Sequence, residues 1–427
     1  MTRDEIILAG KEFLFPSVIH YFDEPLVLDH AKDQYVWDAD GNQYLDFFGG
    51  IVTISVGHLN DRVQAAVRGQ LDKLHHGSTL FQTEPQVALA KKVASLTPER
   101  ALTKSFFTNS GTEANETAVM LARVHTGHSE IVALRHGYHG RTSAGRAMTG
   151  QGIWRGTLPP QPGYIHAHNA YCYRCPFGLK YPSCELRCAT DIKAQIETST
   201  SGRVAGLIAE PIQGVGGFIV PPKEYFQVVV DIIREHGGLF IADEVQTAWG
   251  RTGKWFSIEH FGVTPDIITG AKGLANGFPI GMTTAKPEIA DSLKFLTLST
   301  FGGNPVATAA AKAVIDFVEE EDLLTNSVEV GGYLRGKLEE LQQRFPIIGD
   351  VRGMGLMQAL ELVKDPETKE PAPIETKAVL EAARRNQLLI GKGGLWGNII
   401  RISPPMNISK SDVDDFIDRL TRSFPSS

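Results

Sequence analysis

The run V-A-G-L-I-A at 204–209 is followed by Y-F-Q-V-V-V-D-I-I at 225–233 and by G-G-L-F-I-A-D-E at 237–244. The first and last are apolar stretches of strand length. The middle one puts Tyr225, Phe226, Val229, Ile232 and Ile233 on one stripe of a helix, which Gly237-Gly238 ends. Strand, helix, strand is a βαβ unit, and it predicts a parallel sheet with helices on both faces. In such sheets ligands bind at the carboxyl ends of the strands. Asp243, at the end of Leu239-Phe240-Ile241-Ala242, is therefore expected at a mouth and not inside a core. A second run, Asp266-Ile267-Ile268-Thr269, leads into Gly270-Ala271-Lys272-Gly273, where small neighbours leave room for a flat ligand bonded to the lysine amine.

A lysine that forms a Schiff base and an acid that keeps a pyridine nitrogen protonated are the two groups pyridoxal phosphate chemistry requires. Lys272 and Asp243 fit those roles. Ser110-Gly111-Thr112 follows the strand-like 105–107 and opens a helix carrying Ala114, Ala118 and Leu121. Unpaired amides and the dipole at that helix start would hold a phosphate dianion, with two hydroxyls as further donors. Tyr138, in a Gly/His-rich turn after the strand-like 131–134, is placed to lie against a ring. Each feature also has a plainer explanation, as an N-cap, a solvated charge or a core aromatic. Their value lies in occurring together.

T-N-S-G-T-E-A-N (108–115), H-G-Y-H-G-R-T (136–142), A-E-P-I-Q-G (209–214), A-D-E-V-Q (242–246), G-A-K-G (270–273) and S-T-F-G-G-N-P (299–305) together resemble the class III aminotransferases. The resemblance runs from W-D-A-D-G-N-Q-Y-L-D (37–46) to R-I-S-P-P (401–405). F-G-G-I-V-T-I-S-V-G-H (48–58) and V-R-G-M-G-L-M (351–357) look most like the alanine:glyoxylate and β-aminoisobutyrate:pyruvate members. It implies the fold type I α/β architecture. A large domain would hold a mostly parallel seven-stranded sheet between helices, beside a smaller α/β carboxyl-terminal domain.

The resemblance also implies roles for single residues. Gln246 resembles the residue bonded to the ring's phenolic oxygen. Thr300 resembles the one that reaches the phosphate of the neighbouring subunit, which implies a homodimer, or a tetramer built from it, with sites at the interface. Arg401 matches the arginine that binds an α-carboxylate, and a guanidinium suits that planar group. Glu210 matches the glutamate that neutralises this arginine when an ω-amino acid is bound, so the pair would switch between substrates. Arg141 matches the arginine that holds a distal carboxylate in enzymes acting on γ-aminobutyrate, and Ile51 falls at a substrate-binding position. The implied reaction is ping-pong transfer from β-alanine, β-aminoisobutyrate, γ-aminobutyrate or alanine to pyruvate, glyoxylate or 2-oxoglutarate. Decarboxylase, racemase and aminomutase chemistry use similar folds, and a non-catalytic binding protein is a further alternative.

With 427 residues, 42% hydrophobic and 21% charged, the chain has the composition of a globular enzyme of two or three domains. A net charge of −7 argues against nucleic-acid or anionic-membrane partners. No apolar run is long enough to span a bilayer, and M-T-R-D-E-I-I-L resembles no targeting peptide, so a cytoplasmic location is expected. The large domain should cover 61–315 and the small domain 316–427, with residues 1–60 packing against the latter. The small domain shows helix patterns near 327–344 and 374–386 and strand patterns at 356–363, 388–391 and 399–402. Cys172, Cys175, Cys184 and Cys188 form C-x2-C-x8-C-x3-C inside an insertion at about 170–190. A structural zinc knuckle and four reduced, packed thiols are both open readings, and catalysis needs no metal.

Overall fold

The computed structural model describes residues 1–18, 20–157 and 161–425. Its centre is a seven-stranded sheet. In chain order the strands are β1 (Lys104–Thr108), β2 (Ile131–Leu134), β3 (Tyr164–Ala167), β4 (Gly206–Ala209), β5 (Leu239–Asp243), β6 (Ile267–Gly270) and β7 (Gly281–Ala285). They lie in the order β1-β7-β6-β5-β4-β2-β3. Strand β7 is antiparallel to both neighbours, while β6, β5, β4, β2 and β3 pair in parallel. Strands β2, β4 and β6 are buried along their whole length, as expected for a sheet covered on both faces.

The helix between β4 and β5 is Tyr225–Glu235, and it buries Tyr225, Phe226, Val229, Val230 and Ile233 against the sheet. Gly237 follows it with φ +80°, a conformation that suits glycine at a helix end. Helix α1 (Gly111–Thr126) follows β1. It is capped by Ser110, whose hydroxyl accepts from Glu113 N at 3.2 Å, and is closed by the left-handed Gly127.

Beyond the long helices Pro305–Glu320 and Leu323–Arg344, an antiparallel sheet is built from Ile348–Met354, Met357–Leu362, Ile399–Ile402 and Gly391–Gly393. The expected strand at 388–391 is in fact divided between two sheets. Leu388–Leu389 pairs in parallel with the amino-terminal strand Gln43–Asp46, and Gly391–Gly393 pairs with Ile399–Ile402. The chain turns between them where Gly391 passes the Phe48 ring so closely that a Cβ there would collide with it. Among the described residues no helix is long and apolar enough to cross a membrane.

Candidate active site

Five of the sequence-derived positions lie at or just beyond the carboxyl ends of sheet strands. Ser110 follows β1, Tyr138 follows β2, Glu210 follows β4, Asp243 ends β5 and Lys272 follows β6. Asp243 is 2% exposed and held on several sides. Its Oδ2 accepts from His139 Nδ1 at 2.7 Å and from Asn115 Nδ2 at 2.7 Å, and its Oδ1 accepts from Val245 N. Asn115 is fixed in turn, donating to His139 O and accepting from the Thr269 hydroxyl. Burial alone would lower the His139 pKa, but the hydrogen bond and charge of Asp243 more than offset it, so the imidazole pKa is raised.

Lys272 has φ +45°, a left-handed conformation that costs energy for a side chain with a Cβ and is typical of functional sites. Burial lowers its ammonium pKa against the opposing pull of Asp243 and Glu210, and the positive charge of Arg401 lowers it further. The turn after it is held by Asn276, whose Oδ1 accepts from Ser55 N and Val56 N of the amino-terminal segment. That segment contains Ile51, about half exposed, in a turn where Gly49, Gly50, Ile51 and Val52 all have positive φ.

Glu210 is buried, with Oε1 accepting from Tyr138 N at 2.9 Å and Oε2 from Gly214 N at 2.7 Å. Burial pushes its carboxyl up to about 7, with His139 opposing and Asp243 adding to the shift. The Tyr138 ring packs edge-on against Trp154. Arg401, 4% exposed, donates to Lys392 O at 3.1 and 2.9 Å, to Gly214 O at 3.4 Å and to the Tyr21 hydroxyl at 3.3 Å. Its guanidinium also lies over the rings of Phe48 and Phe218. Glu210 and Arg401 are thus near one another through Gly214 without being paired. Glu210 is bound to amides and Arg401 to carbonyls.

Arg141 is exposed and makes no ion pair among the described residues. Thr300 is exposed on a loop whose residues Ser299 and Asn304 hydrogen-bond to Thr79 and His75. The four cysteines are unbridged and line one cavity with Phe177 and Leu186. Among the described residues no three His, Cys, Asp or Glu side chains are placed to hold a metal ion, so the zinc-knuckle reading gains nothing from the geometry.

His139, Asn115 and Tyr21 were not singled out from the sequence. His139 and Asn115 fall inside quoted motifs. Asn115 also carried a readable signal, because it is a polar residue on the buried stripe of α1 beside Ala114, Ala118, Val119 and Ala122.

A phosphorylated pyridine fits this donor set. The amides of Gly111 and Thr112 open α1 without partners among the described residues. A Cβ on Gly111 would come within 2.8 Å of Val245, so only glycine permits the close approach. Gln246 is 7% exposed, and neither its Oε1 nor its Nε2 has a hydrogen-bond partner among the described residues, which leaves the side-chain amide to a ligand.

Residues 20–424 match the family model for class III aminotransferases. The chain is 42% identical to alanine–glyoxylate aminotransferase 2 homolog 2, mitochondrial, of Arabidopsis thaliana, over 98% of this chain and 87% of that one. It is 41% identical to a leucine/methionine racemase of Thermococcus litoralis, over 98% and 95%. Among solved structures, a PLP-bound amine transaminase from an uncultivated Pseudomonas species superposes with a TM-score of 0.91 at 33% identity, covering 96% of this chain and 97% of the other. The chain therefore belongs to the class III aminotransferases, pyridoxal phosphate enzymes of fold type I.

Proposed function

We propose that this transaminase moves an amino group from a β- or ω-amino acid, or from alanine, to a small α-oxo acid. The observation that carries the reading is the buried Arg401 guanidinium. It lies within electrostatic reach of Lys272 and has no carboxylate paired with it among the described residues. A buried cation without an anion is costly, and a substrate carboxylate would supply the missing charge in a two-bonded geometry.

Pyridoxal phosphate, when bound, supplies an electron-accepting ring. The amides of Ser110-Gly111-Thr112 would hold its phosphate, Gln246 its phenolic oxygen, and Asp243 the proton on its ring nitrogen, with His139 and Asn115 fixing Asp243. Tyr138 would pack beside the ring. Lys272 would bond to the cofactor and, once released by the amino donor, move a proton at the donor's reacting carbon. Its lowered pKa keeps a fraction of the amine neutral and able to act as a base. Arg401 would bind the carboxylate of either substrate. Arg141 would hold a distal one, and Ile51 would line the same pocket.

Leu80, Phe81, Leu296, Leu298 and Phe301 are each more than half exposed around Thr300. That apolar surface supports a homodimer in which Thr300 reaches the partner's phosphate site. The four unbridged thiols go with a reducing compartment, and on that basis we place the protein in the cytoplasm. We assign residues 61–315 to the cofactor domain and 316–427 to the small domain.

The deciding experiment is a donor panel of β-alanine, β-aminoisobutyrate, γ-aminobutyrate and alanine against pyruvate, glyoxylate and 2-oxoglutarate. Failure of every pair would sink the reading. The racemase relative, about as similar as the aminotransferase one, favours a second reading. Interconversion of L- and D-leucine without an oxo acid would select it.

A further inference from the structure

A buried polar hub lies behind Arg401, and the transamination chemistry above makes no use of it. At its centre Glu361, with no exposed surface, accepts from the Tyr171 hydroxyl, from Arg174 Nε and from Arg352 Nη1 at 2.7 Å. Tyr171 and Arg174 belong to the Cys-rich insertion, whereas Glu361 and Arg352 belong to adjacent strands of the small antiparallel sheet. Two positive side chains and a phenol around one carboxylate hold its pKa below the usual range despite burial, so the hub stays charged.

Three separate routes lead from this hub to Arg401. The first is strand pairing, since Glu361 is opposite Ile399 and Ala359 is opposite Arg401 in one antiparallel register. The second is the loop 213–219. Arg352 Nε donates to Gly217 O at 2.8 Å, while Arg401 Nη1 donates to Gly214 O at 3.4 Å, so two arginines grip the same short loop. Gly217 has φ +106° and sits where a Cβ would strike Ile399, which leaves the loop little freedom to move independently. The third is the segment 391–397, the strand Gly391–Gly393 and the turn after it. The Arg174 guanidinium lies 4.9 Å over the Trp396 ring, and the Lys392 carbonyl of that segment accepts both of the shorter Arg401 bonds. Gly394 N also donates to Val215 O, joining the second and third routes.

We propose that Glu361, with Tyr171, Arg174 and Arg352, is a positioning element for Arg401, and that the Cys-rich insertion thereby takes part in selecting carboxylate substrates. The inference rests on the reading of Arg401 as the carboxylate binder. Packed, hydrogen-bonded supports of this kind fix the rotamer of a binding side chain, and a misplacement of a fraction of an ångström weakens a bidentate contact.

The test uses the pyridoxal phosphate-loaded enzyme and two carbonyl reagents, aminooxyacetate, which carries a carboxylate, and O-methylhydroxylamine, which carries none. The ratio of their capture rates, followed by cofactor absorbance, reads carboxylate recognition without turnover. Glu361→Gln should lower that ratio about tenfold while leaving the O-methylhydroxylamine rate and the cofactor affinity unchanged. Tyr171→Phe, which removes one hydroxyl and keeps every charge, should lower it about threefold and serves if Glu361→Gln fails to fold. Arg401→Gln is the control, and it should lower the ratio more than either. A reduced ratio in Arg401→Gln with wild-type ratios in both hub variants overturns the positioning role and leaves the Arg401 reading intact. An unchanged ratio in Arg401→Gln overturns both.

Discussion

The two ends of the site are built on opposite electrostatic plans. At the proposed cofactor end the buried acid Asp243 is already oriented by donors of the protein, His139 Nδ1, Asn115 Nδ2 and Val245 N. At the proposed carboxylate end the buried cation Arg401 is surrounded by neutral carbonyls, a phenol and two aromatic faces, and among the described residues no anion is paired with it. The first arrangement fixes its charged group within the protein before any ligand arrives. The second is complete only when a ligand brings a negative charge. A permanent partner needs a permanent counter-structure, whereas two alternating substrates need a site that either can satisfy.

The largest expected effect comes from removing the group between the two ends. Lys272→Ala should lower turnover by at least about ten-thousand-fold, since both the covalent bond and the proton carrier are lost. Reduction with borohydride should then no longer fix the cofactor to the chain, and a covalently labelled variant would remove Lys272 from the role. Next comes Asp243→Asn, which keeps the shape and deletes the charge. We expect turnover to fall on the order of a hundred- to a thousand-fold, the scale of one preorganised charge contact. Cofactor affinity should drop with it, measured by equilibrium dialysis. If affinity and rate both survived, the cofactor end would not depend on its anion and the contrast between the two ends would collapse.

Glu244, beside Asp243, tests burial of an acid without a ligand role. It has no exposed surface, and burial pushes its carboxyl from 4.5 up to about 7 despite hydrogen bonds from Ile258 N and the Thr247 hydroxyl. A folded-state pKa above the unfolded one means a contribution that is fully present below about pH 4.5 and is lost as pH rises through about 7. Glu244→Gln should abolish that loss, flattening the pH dependence of stability by on the order of 3 kcal/mol between those limits. Urea unfolding at pH 5 and pH 8 measures it, and an unchanged slope would show that the carboxylate is held charged at little cost. At the other end, Arg401→Gln should raise KM for pyruvate and for the amino donor by about 10- to 100-fold, the range of one lost bidentate contact. A change in kcat with KM untouched would move Arg401 from binding to catalysis.

How much of this could be read in advance follows the same divide. The proposed cofactor end is carried by strand termini and a helix start, so apolar runs leading to Asp243, Lys272 and Ser110 are legible in the sequence, and the structure brings these residues to one end of the sheet. The carboxylate end is assembled from Tyr21, Phe48, Gly214, Phe218, Lys392 and Arg401, which are hundreds of residues apart at the extremes. Most of its contacts are main-chain carbonyls, which have no sequence signature. The resemblance implies that Glu210 neutralises Arg401 when an ω-amino acid is bound, and without a ligand the two stand apart on either side of Gly214, which presents its amide to one and its carbonyl to the other. The division of 388–391 between two sheets was hidden for a related reason, since it follows from Gly391 passing a ring 343 positions earlier in the chain.

The smallest effect should come from Arg141, and it sharpens the contrast most finely. Like Arg401 it is a cation without a partner among the described residues, but it is exposed where Arg401 is buried. Water and salt screen an exposed charge, so the same chemistry should contribute far less. Arg141→Gln should raise KM for the dicarboxylate 2-oxoglutarate by about fivefold and leave pyruvate, which has no distal carboxylate, unchanged. Raising the salt to about 0.5 M should erase most of that difference, because screening shortens the reach of an exposed charge to a few ångströms. Parallel acceptor assays at two salt concentrations check it. Equal losses for both acceptors, or a salt-independent loss as large as that of Arg401→Gln, would mean that Arg141 becomes buried when substrate binds, and that the carboxylate end has two desolvated cations to satisfy instead of one.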